Sequence, residues 1–295
     1  MTSNDDRGLE LSVIVPAHNE EAAIANQIDA ITSSDWDGTW ELIVVDNGST
    51  DATAEIVRGY GQRDPRVRLV QAGEQPGRNY ARNVGINAST ARSFALTDAD
   101  DIAGSGWVRA IGTALRDHEL VTGPLELGRL NSAFMAASRG RRHESISPTF
   151  HNIFPAAHGN NFGMQRAAWT RIGGFDEDPR LLGSEDIEIS MRAWLAGIRL
   201  YFATDAVVHY RYRTEPRVLW QQGRRYGRSR PMLVRKLIEA GRARPPRFGG
   251  WRSWAWLAVH VPDLLHPEPR AGWVWVAANR LGQLDSTTFV RCAQN

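Results

Sequence analysis

Four short apolar runs open the chain, each followed by a polar, loop-forming stretch. Residues 11–15 are apolar and β-branched and stop at Pro16; 41–45 run into Asp46; 67–70 follow; 93–96 lead into Thr97. Runs of this length predict strands buried on both faces. Between them, apolar positions recur at helical spacing. Ile24, Ile28 and Ile31 define a helix over 19–30, and helices are predicted over 51–60, capped by Ser49 or Thr50, and over 78–88. Strands alternating with helices predict right-handed βαβ units, hence an α/β fold with a Rossmann-like, mostly parallel sheet and helices on both faces.

The alternation breaks after Gly123-Pro124. Residues 130–155 read as a connection rich in Arg, Ser and His. Beyond it the pattern predicts a strand over 160–164, a helix around Trp169 and the turn Gly173-Gly174-Phe175-Asp176. A helix over 184–197 is predicted next, capped by Ser184, with Ile187, Met191, Trp194, Leu195 and Ile198 as its apolar stripe. Short strands are expected at 200–202 and 206–210. From Pro216 onward come Arg- and Trp-rich helices, broken at Arg244-Pro245-Pro246 and at Pro267-Glu268-Pro269. These changes divide the chain into segments 1–123, 124–215 and 216–295.

Composition narrows the class. With 295 residues, 42% hydrophobic and 23% charged, the chain reads as globular. A single cysteine, Cys292, excludes an internal disulfide framework and a multi-thiolate metal site, and favours a reducing compartment. Residues 1–10 are polar and acidic, with no apolar core of a signal peptide. The longest apolar stretches, 254–261 and 273–278, fall short of the ~20 residues of a spanning helix. The expectation is therefore a cytoplasmic protein that does not cross a bilayer. The net charge of +2 hides an acidic first hundred residues and a run of arginines, Arg211, Arg213, Arg217, Arg224, Arg225, Arg228, Arg230 and Arg235. Such a segment suits an anionic substrate or a membrane surface. No nucleic-acid reading motif accompanies it.

In open parallel sheets, ligands sit at the carboxyl ends of the strands. Three of the predicted strands end in polar sequences: Pro16-Ala17-His18-Asn19-Glu20, Asp46-Asn47-Gly48-Ser49-Thr50-Asp51 and Asp98-Ala99-Asp100-Asp101. Asp98 and Asp100, two apart at a strand end, can turn toward one hard cation, Mn²⁺ or Mg²⁺. Such an ion bridges a diphosphate and neutralises its departure.

Six segments in order resemble the inverting nucleotide-sugar glycosyltransferase family 2, the large group with the GT-A fold. They are Val13-Ile14-Val15-Pro16-Ala17-His18-Asn19-Glu20, Ile43-Val44-Val45-Asp46-Asn47-Gly48-Ser49-Thr50-Asp51, Arg78-Asn79-Tyr80-Ala81-Arg82-Asn83-Val84-Gly85, Thr97-Asp98-Ala99-Asp100-Asp101, Gly173-Gly174-Phe175-Asp176-Glu177 and Glu185-Asp186-Ile187-Glu188. The resemblance implies a metal-dependent, inverting transfer from a nucleotide diphosphate sugar, with a uridine donor expected, to an unidentified acceptor. It makes 1–123 the nucleotide-sugar lobe, 124–215 the lobe of the acceptor and catalytic base, and 216–295 a helical acceptor-side extension. It makes Pro16, Ala17, Asn19, Glu20, Asp46, Gly48 and Ser49 substrate contacts, the loop after Pro16 and the Asp46 carboxylate holding the nucleobase, with Arg78, Asp98 (near the ribose), Glu185, Arg211 and Arg213 as further substrate contacts. Asp98, Asp100 and His209 are the implied metal residues, and Asp186 the general base. Asp186 falls in the first turn of its predicted helix, where the dipole favours the ionised form a base needs.

Gln222-Gly223-Arg224-Arg225-Tyr226 resembles the Gln-x-x-Arg-Trp signature of processive synthases, with Tyr in place of Trp. A dehydrogenase would need Gly-x-Gly-x-x-Gly after the first strand, where this chain has 16–20. A nucleotidyltransferase would place a glycine-rich basic loop there. A third alternative is an inactive, transferase-like membrane-associated or scaffolding module, against which Asp98, Asp100 and Asp186 all stand. Trp251, Trp254, Trp256, Trp273 and Trp275, set among Arg247, Arg252, Arg270 and Arg280, fit a peripheral contact at the inner membrane face, a homodimer interface or the core of the acceptor lobe.

Overall fold

The structure is a computed structural model and describes residues 8–133, 135, 149–181, 183–213, 215–243 and 251–292. Much of the connection expected at 130–155, and the break at 244–246, lie outside the described residues. The first half follows the predicted alternation: β1 (Leu11–Ala17), α1 (Ile24–Thr32), β2 (Trp40–Asp46), α2 (Thr53–Arg63), β3 (Val67–Gln71), α3 (Arg78–Asn87) and β4 (Ser93–Leu96). Then come β5 (Ile102–Ala103), α4 (Trp107–Asp117), β6 (Leu120–Thr122), β7 (Leu125–Glu126), β8 (Thr149–Phe150), β9 (Phe154–Pro155), β10 (Phe162–Gln165) and α5 (Arg166–Ile172). The chain continues through α6 (Glu185–Leu195), β11 (Leu200–Phe202), β12 (Val208–His209), α7 (Pro216–Glu239), α8 (Trp251–Val259) and α9 (Pro267–Cys292).

Seven strands form the central sheet in the order β11-β6-β10-β4-β1-β2-β3. All neighbours pair in parallel except β10, which runs antiparallel to both β4 and β6. A second sheet, β5-β12-β7, carries the segments that follow the β4 end. Strand side chains alternate between faces. Ile14, Ile43, Val45, Phe94, Phe162 and Met164 pack in one core with Ile86 of α3, Trp169 of α5 and Ile189 of α6. Gly163, between Phe162 and Met164, meets Ile111 and Leu115 of α4. Helices thus cover both faces, which explains why β1 and β2 are nearly continuous apolar runs. Gly85 lets α3 lie on the sheet, since a Cβ there would meet Val45 and Ile14 side chains at 2.6 and 2.7 Å.

Two expectations are corrected. β1 runs through Pro16 to Ala17. Thr97 N–H donates to the Ile14 carbonyl on one side, and Asn47 N–H to that of Ala17 on the other. By that alternation the Pro16 nitrogen faces the side where β4 has ended, so no ladder donor is missed. The first helix starts at Ile24 rather than Asn19, because the N–H groups of Asn19, Glu20 and Glu21 are taken by Ser49, Thr53 and Asp51. The expected break at 267–269 falls at a boundary between helical elements: the 3₁₀ turn Val261–Leu265 ends just before it and α9 opens on Pro267, where the missing N–H costs nothing.

The described residues form two compact units. One holds residues up to 130 with 149–177 and 189–211, including every described strand; the other holds 131–133, 135, 178–188 and the described residues from 212 onward. In the second unit, α7 and α9 approach closely through Gly223, Gly227, Ala278 and Gly282, and the Tyr226 and Trp275 rings meet edge-on at 5.3 Å. Ser184 pairs by hydroxyl with Ser229 at 2.6 Å, and Lys236 reaches the buried Glu188 at 2.9 Å.

Candidate active site

The site is built where β1, β2 and β4 end. After β2, Asp46 is buried and accepts the Ser49 N–H at 2.9 Å. Gly48 follows with φ +74°, a conformation a side chain would strain. Asn47 ties the loop to the segment before α3, donating to the Gln75 carbonyl and accepting from Gly77 N–H, both at 2.8 Å. From the β1 end, Asn19 adopts φ +56°, gives its N–H to Ser49 Oγ at 2.9 Å and accepts from Thr50 N–H at 2.8 Å. His18 Nδ1 lies 2.9 Å from the Asn47 carbonyl. Ala17 is buried, Pro16 and Glu20 half-buried. The two loops are therefore one hydrogen-bonded unit, and Pro16, Ala17, Asn19, Glu20, Asp46, Gly48 and Ser49 share the same sheet edge.

After β4, oxygens of Asp98, Asp100 and Asp101 lie within 4.8 Å of one another. Arg78 from α3 pairs with one Asp98 oxygen at 3.1 Å, and Arg82 with the other at 3.2 Å. Arg82 is only 1% exposed, also donates to the Gly159 carbonyl at 2.9 Å, and lies over the Phe175 ring. It anchors Asp98. Gln27 of α1 sets the strand end itself, donating to Thr97 Oγ1 at 3.0 Å and the Asp98 carbonyl at 2.9 Å, and accepting from Ala103 N–H at 2.8 Å.

Asp101 is the member sequence reasoning did not single out. It accepts from Asn160 Nδ2 at 2.6 Å and from the Arg211 N–H at 2.9 Å. Burial, then the charges of Asp100 and Asp98, hold its carboxyl well above the usual carboxylate range. Arg211 Nε donates to the Asp100 carbonyl at 3.1 Å, so this arginine edges the cluster. His209 is not one of the three converging groups. It sits on β12 opposite Ile102, with Nδ1 2.7 Å from Glu126 Oε2. Burial raises the Glu126 carboxyl, but donation from His209 and from Gly128 and Arg129 N–H leaves it below its ordinary value.

Asp186 and Glu185 belong to the second unit, in the first turn of α6. Asp186 Oδ1 accepts the Ile187 N–H at 2.8 Å; Glu185 is buried and accepts the Gly183 N–H at 2.6 Å. The expected stripe of α6 is corrected. Glu188, Ile189, Ser190, Met191 and Ala193 are buried, while Ile187 and Trp194 are half-buried and Leu195 is exposed. Met191 and Ile198 are buried as expected, but residues 188–191 are buried in succession and so point all round the helix; a single apolar stripe does not describe it. Arg213 is exposed, also in the second unit. A depression of about 500 Å³ lined by Arg109, Asp117, His118 and Tyr201 contains none of these residues.

Two signals for the missed residues were available. Gln27 interrupts an apolar face otherwise made of Ile24, Ile28 and Ile31, and Asn160-Asn161 precede a buried strand, both asparagines being buried. A buried polar side chain at such a position implies partners.

The acidic cluster is an all-oxygen donor set with one buried carboxyl whose two hydrogen-bond donors are neutral. That fits a hard divalent cation such as Mn²⁺ or Mg²⁺. A GT-A-type α/β sheet with a carboxylate cluster at its strand ends is the architecture of nucleotide-sugar transferases. The glycosyl transferase family 2 model matches residues 12–177, more than half of the chain. The chain belongs to that family and carries its glycosyltransferase domain. Glycosyltransferase AglE of Haloferax volcanii is 29% identical over 205 residues, 67% of this chain and 65% of AglE. The probable glycosyltransferase YdaM of Bacillus subtilis is 26% identical over 246 residues, 78% of this chain and 57% of YdaM. The matches thus span less than two thirds of these relatives' length. Among solved structures, the mannosyltransferase PcManGT from Pyrobaculum calidifontis, in complex with GDP-Man and Mn²⁺, superimposes with a TM-score of 0.65 at 20% identity, covering 94% of this chain and 87% of that one. S. aureus TarS 1–349 in complex with UDP-GlcNAc gives 0.56 at 17% identity, covering 95% and 92%. At these identities the likeness is one of fold.

Proposed function

We propose that this protein is a divalent-metal-dependent, inverting glycosyltransferase that takes its sugar from a nucleotide diphosphate donor, a uridine donor in the first instance. The observation that carries the reading is the convergence of Asp98, Asp100 and Asp101 at the β4 end, in a chain of glycosyl transferase family 2. The linked loops after β1 and β2 hold the nucleoside, Asp46 accepting a ring N–H. Asp98 is kept in place by Arg82, and Arg78, nearly half exposed, offers a cation to the phosphates. Asp100, with help from Asp98 and Asp101, would hold the cation; His209, outside that convergence and paired with Glu126, would join as a ligand only through its other ring nitrogen. The chemistry a Mn²⁺ or Mg²⁺ ion would supply there is neutralisation of the charge on the leaving diphosphate. Asp186 takes the proton of the acceptor hydroxyl as that oxygen attacks the anomeric carbon from the face opposite the departing diphosphate, which inverts its configuration. Glu185, Arg211 and Arg213 contact the substrates.

PcManGT was solved with GDP-Man and TarS with UDP-GlcNAc, and both fit the fold. The test needs no acceptor. The protein is incubated with a panel of nucleotide sugars, with Mn²⁺ or with excess chelator, and slow donor hydrolysis is followed by NMR of the released sugar. Metal-dependent hydrolysis releasing the sugar with inverted anomeric configuration is expected. Turnover undiminished by chelator, or release with retained configuration, would overturn the reading.

A further inference from the structure

The tryptophans of the C-terminal segment divide into two sets. Trp256, Trp273 and Trp275 are half-buried and serve packing: Trp273 Nε1 donates to the Leu257 carbonyl at 3.0 Å, Trp275 meets Tyr226, and Trp256 stacks on His260. Trp251 and Trp254 are exposed. Of the nine exposed large apolar side chains among the described residues, five lie within 251–265: Trp251, Trp254, Val259, Val261 and Leu265. Val259 is 73% and Leu265 81% exposed. Leu257, facing α9, is the only buried residue of α8. The outward positions of α8 are Trp251, Arg252, Trp254, Ala255, Ala258 and Val259, where a helix bordered by water carries polar side chains.

Charge says what this apolar ridge meets. Residues 212–295 contain fifteen Lys and Arg against five Asp and Glu, whereas the rest of the chain contains twenty against twenty-eight. The cationic excess is thus confined to the part that bears the ridge. Arg217 and Arg225 are exposed on α7, and Arg252 lies against the Trp251 ring on α8. A nine-residue helix spans only ~13 Å, and no helix among the described residues is long and apolar enough to cross a bilayer. Tryptophan and aliphatic side chains beside arginine, on a helix too short to span, suit the boundary between headgroups and acyl chains. The cationic excess of the same segment adds attraction to anionic lipid.

We propose that α8 and the 3₁₀ turn after it, Val261–Leu265, form a membrane-docking surface that inserts Trp251, Trp254, Val259, Val261 and Leu265 into the interface of an anionic bilayer. Docking stands independently of the transfer reaction, and its test reads lipid binding rather than transfer. The full-length protein is sedimented with vesicles of phosphatidylcholine alone and of equal parts phosphatidylcholine and phosphatidylglycerol, at low and high salt. A second sample contains lipid brominated near the headgroup end of the acyl chain. Expected are binding to the anionic vesicles that weakens with salt, quenching of tryptophan emission by the brominated lipid, and a roughly tenfold or greater loss of partitioning for the double variant W254E/L265E. Both substituted side chains are exposed; the quenching of the wild-type protein tests insertion without any variant. A wild-type protein that leaves anionic vesicles untouched at low salt, or one whose tryptophans are not quenched, would overturn the proposal. So would a dimer in lipid-free solution that the double variant splits while vesicle binding is absent, since the ridge would then be a subunit contact.

Discussion

Asp101 is buried beside two other carboxylates, and removing one of those charges has a definite sign. A carboxyl held above its ordinary value favours the folded state while protonated and loses that advantage as the pH climbs past the unfolded value. Asp100→Ala lessens the repulsion, so at neutral pH without cation the variant should melt no lower than the parent. Added Mn²⁺ should raise the melting temperature of the parent only, and donor turnover should vanish in the variant; calorimetry with and without the ion reads both. Asp186→Asn keeps the shape of the side chain and loses the proton acceptor. Nucleotide binding should survive in calorimetric titration, while transfer falls by ~10²–10⁴; near-normal transfer would remove Asp186 from the role. At this scale the candidate site was legible where chemistry is local. Asp98 and Asp100 could be picked out because they follow a buried strand. Gln27 and Asn160 show in the sequence only as polar residues beside apolar ones; what they hold, like the part Asp101 plays, depends on partners far along the chain.

Among the elements, the crossing of α7 and α9 makes the sharpest demand. A Cβ on Gly227 would fall 2.1 Å from the Asn279 carbonyl oxygen and 2.9 Å from the Gly282 Cα, and backbone cannot move aside as a side chain can. Gly227→Ala should destabilise the protein by about 1–3 kcal/mol or more, seen as a lowered denaturation midpoint. Gly272→Ala on α9, where a Cβ meets nothing within 4 Å, should be neutral or slightly stabilising. Equal effects of the two would mean that the close crossing is not what holds these helices. The positions of β1 and β2 were readable from the sequence because two-sided burial leaves a nearly continuous apolar run. Helix starts were less so: α1 begins late because Ser49, Thr53 and Asp51 capture the preceding N–H groups, a competition between segments that propensity does not contain.

For the whole molecule, ligand binding should appear as added stability. A nucleotide that binds the folded chain with Mn²⁺ at a hundredfold excess over its dissociation constant contributes about 2.7 kcal/mol. Melting curves with uridine, guanosine or thymidine diphosphate plus Mn²⁺ should show the largest shift for the uridine compound; a larger one for guanosine diphosphate would change the assignment of the donor. The uneven charge, acidic before residue 212 and basic after it, was visible in composition alone. So were the α/β class and the polar strand ends, since apolar runs and the residues that interrupt them follow from local periodicity. Only the tertiary structure decided that Arg82 is a buried anchor of Asp98 rather than a surface cation. It also separated Trp256, Trp273 and Trp275, which pack against His260, α8 and α7, from the tryptophans left facing outward. The reason is the same in each case: burial and pairing are properties of residues brought together from distant parts of the chain, and no spacing along the sequence encodes which of several similar side chains ends up covered.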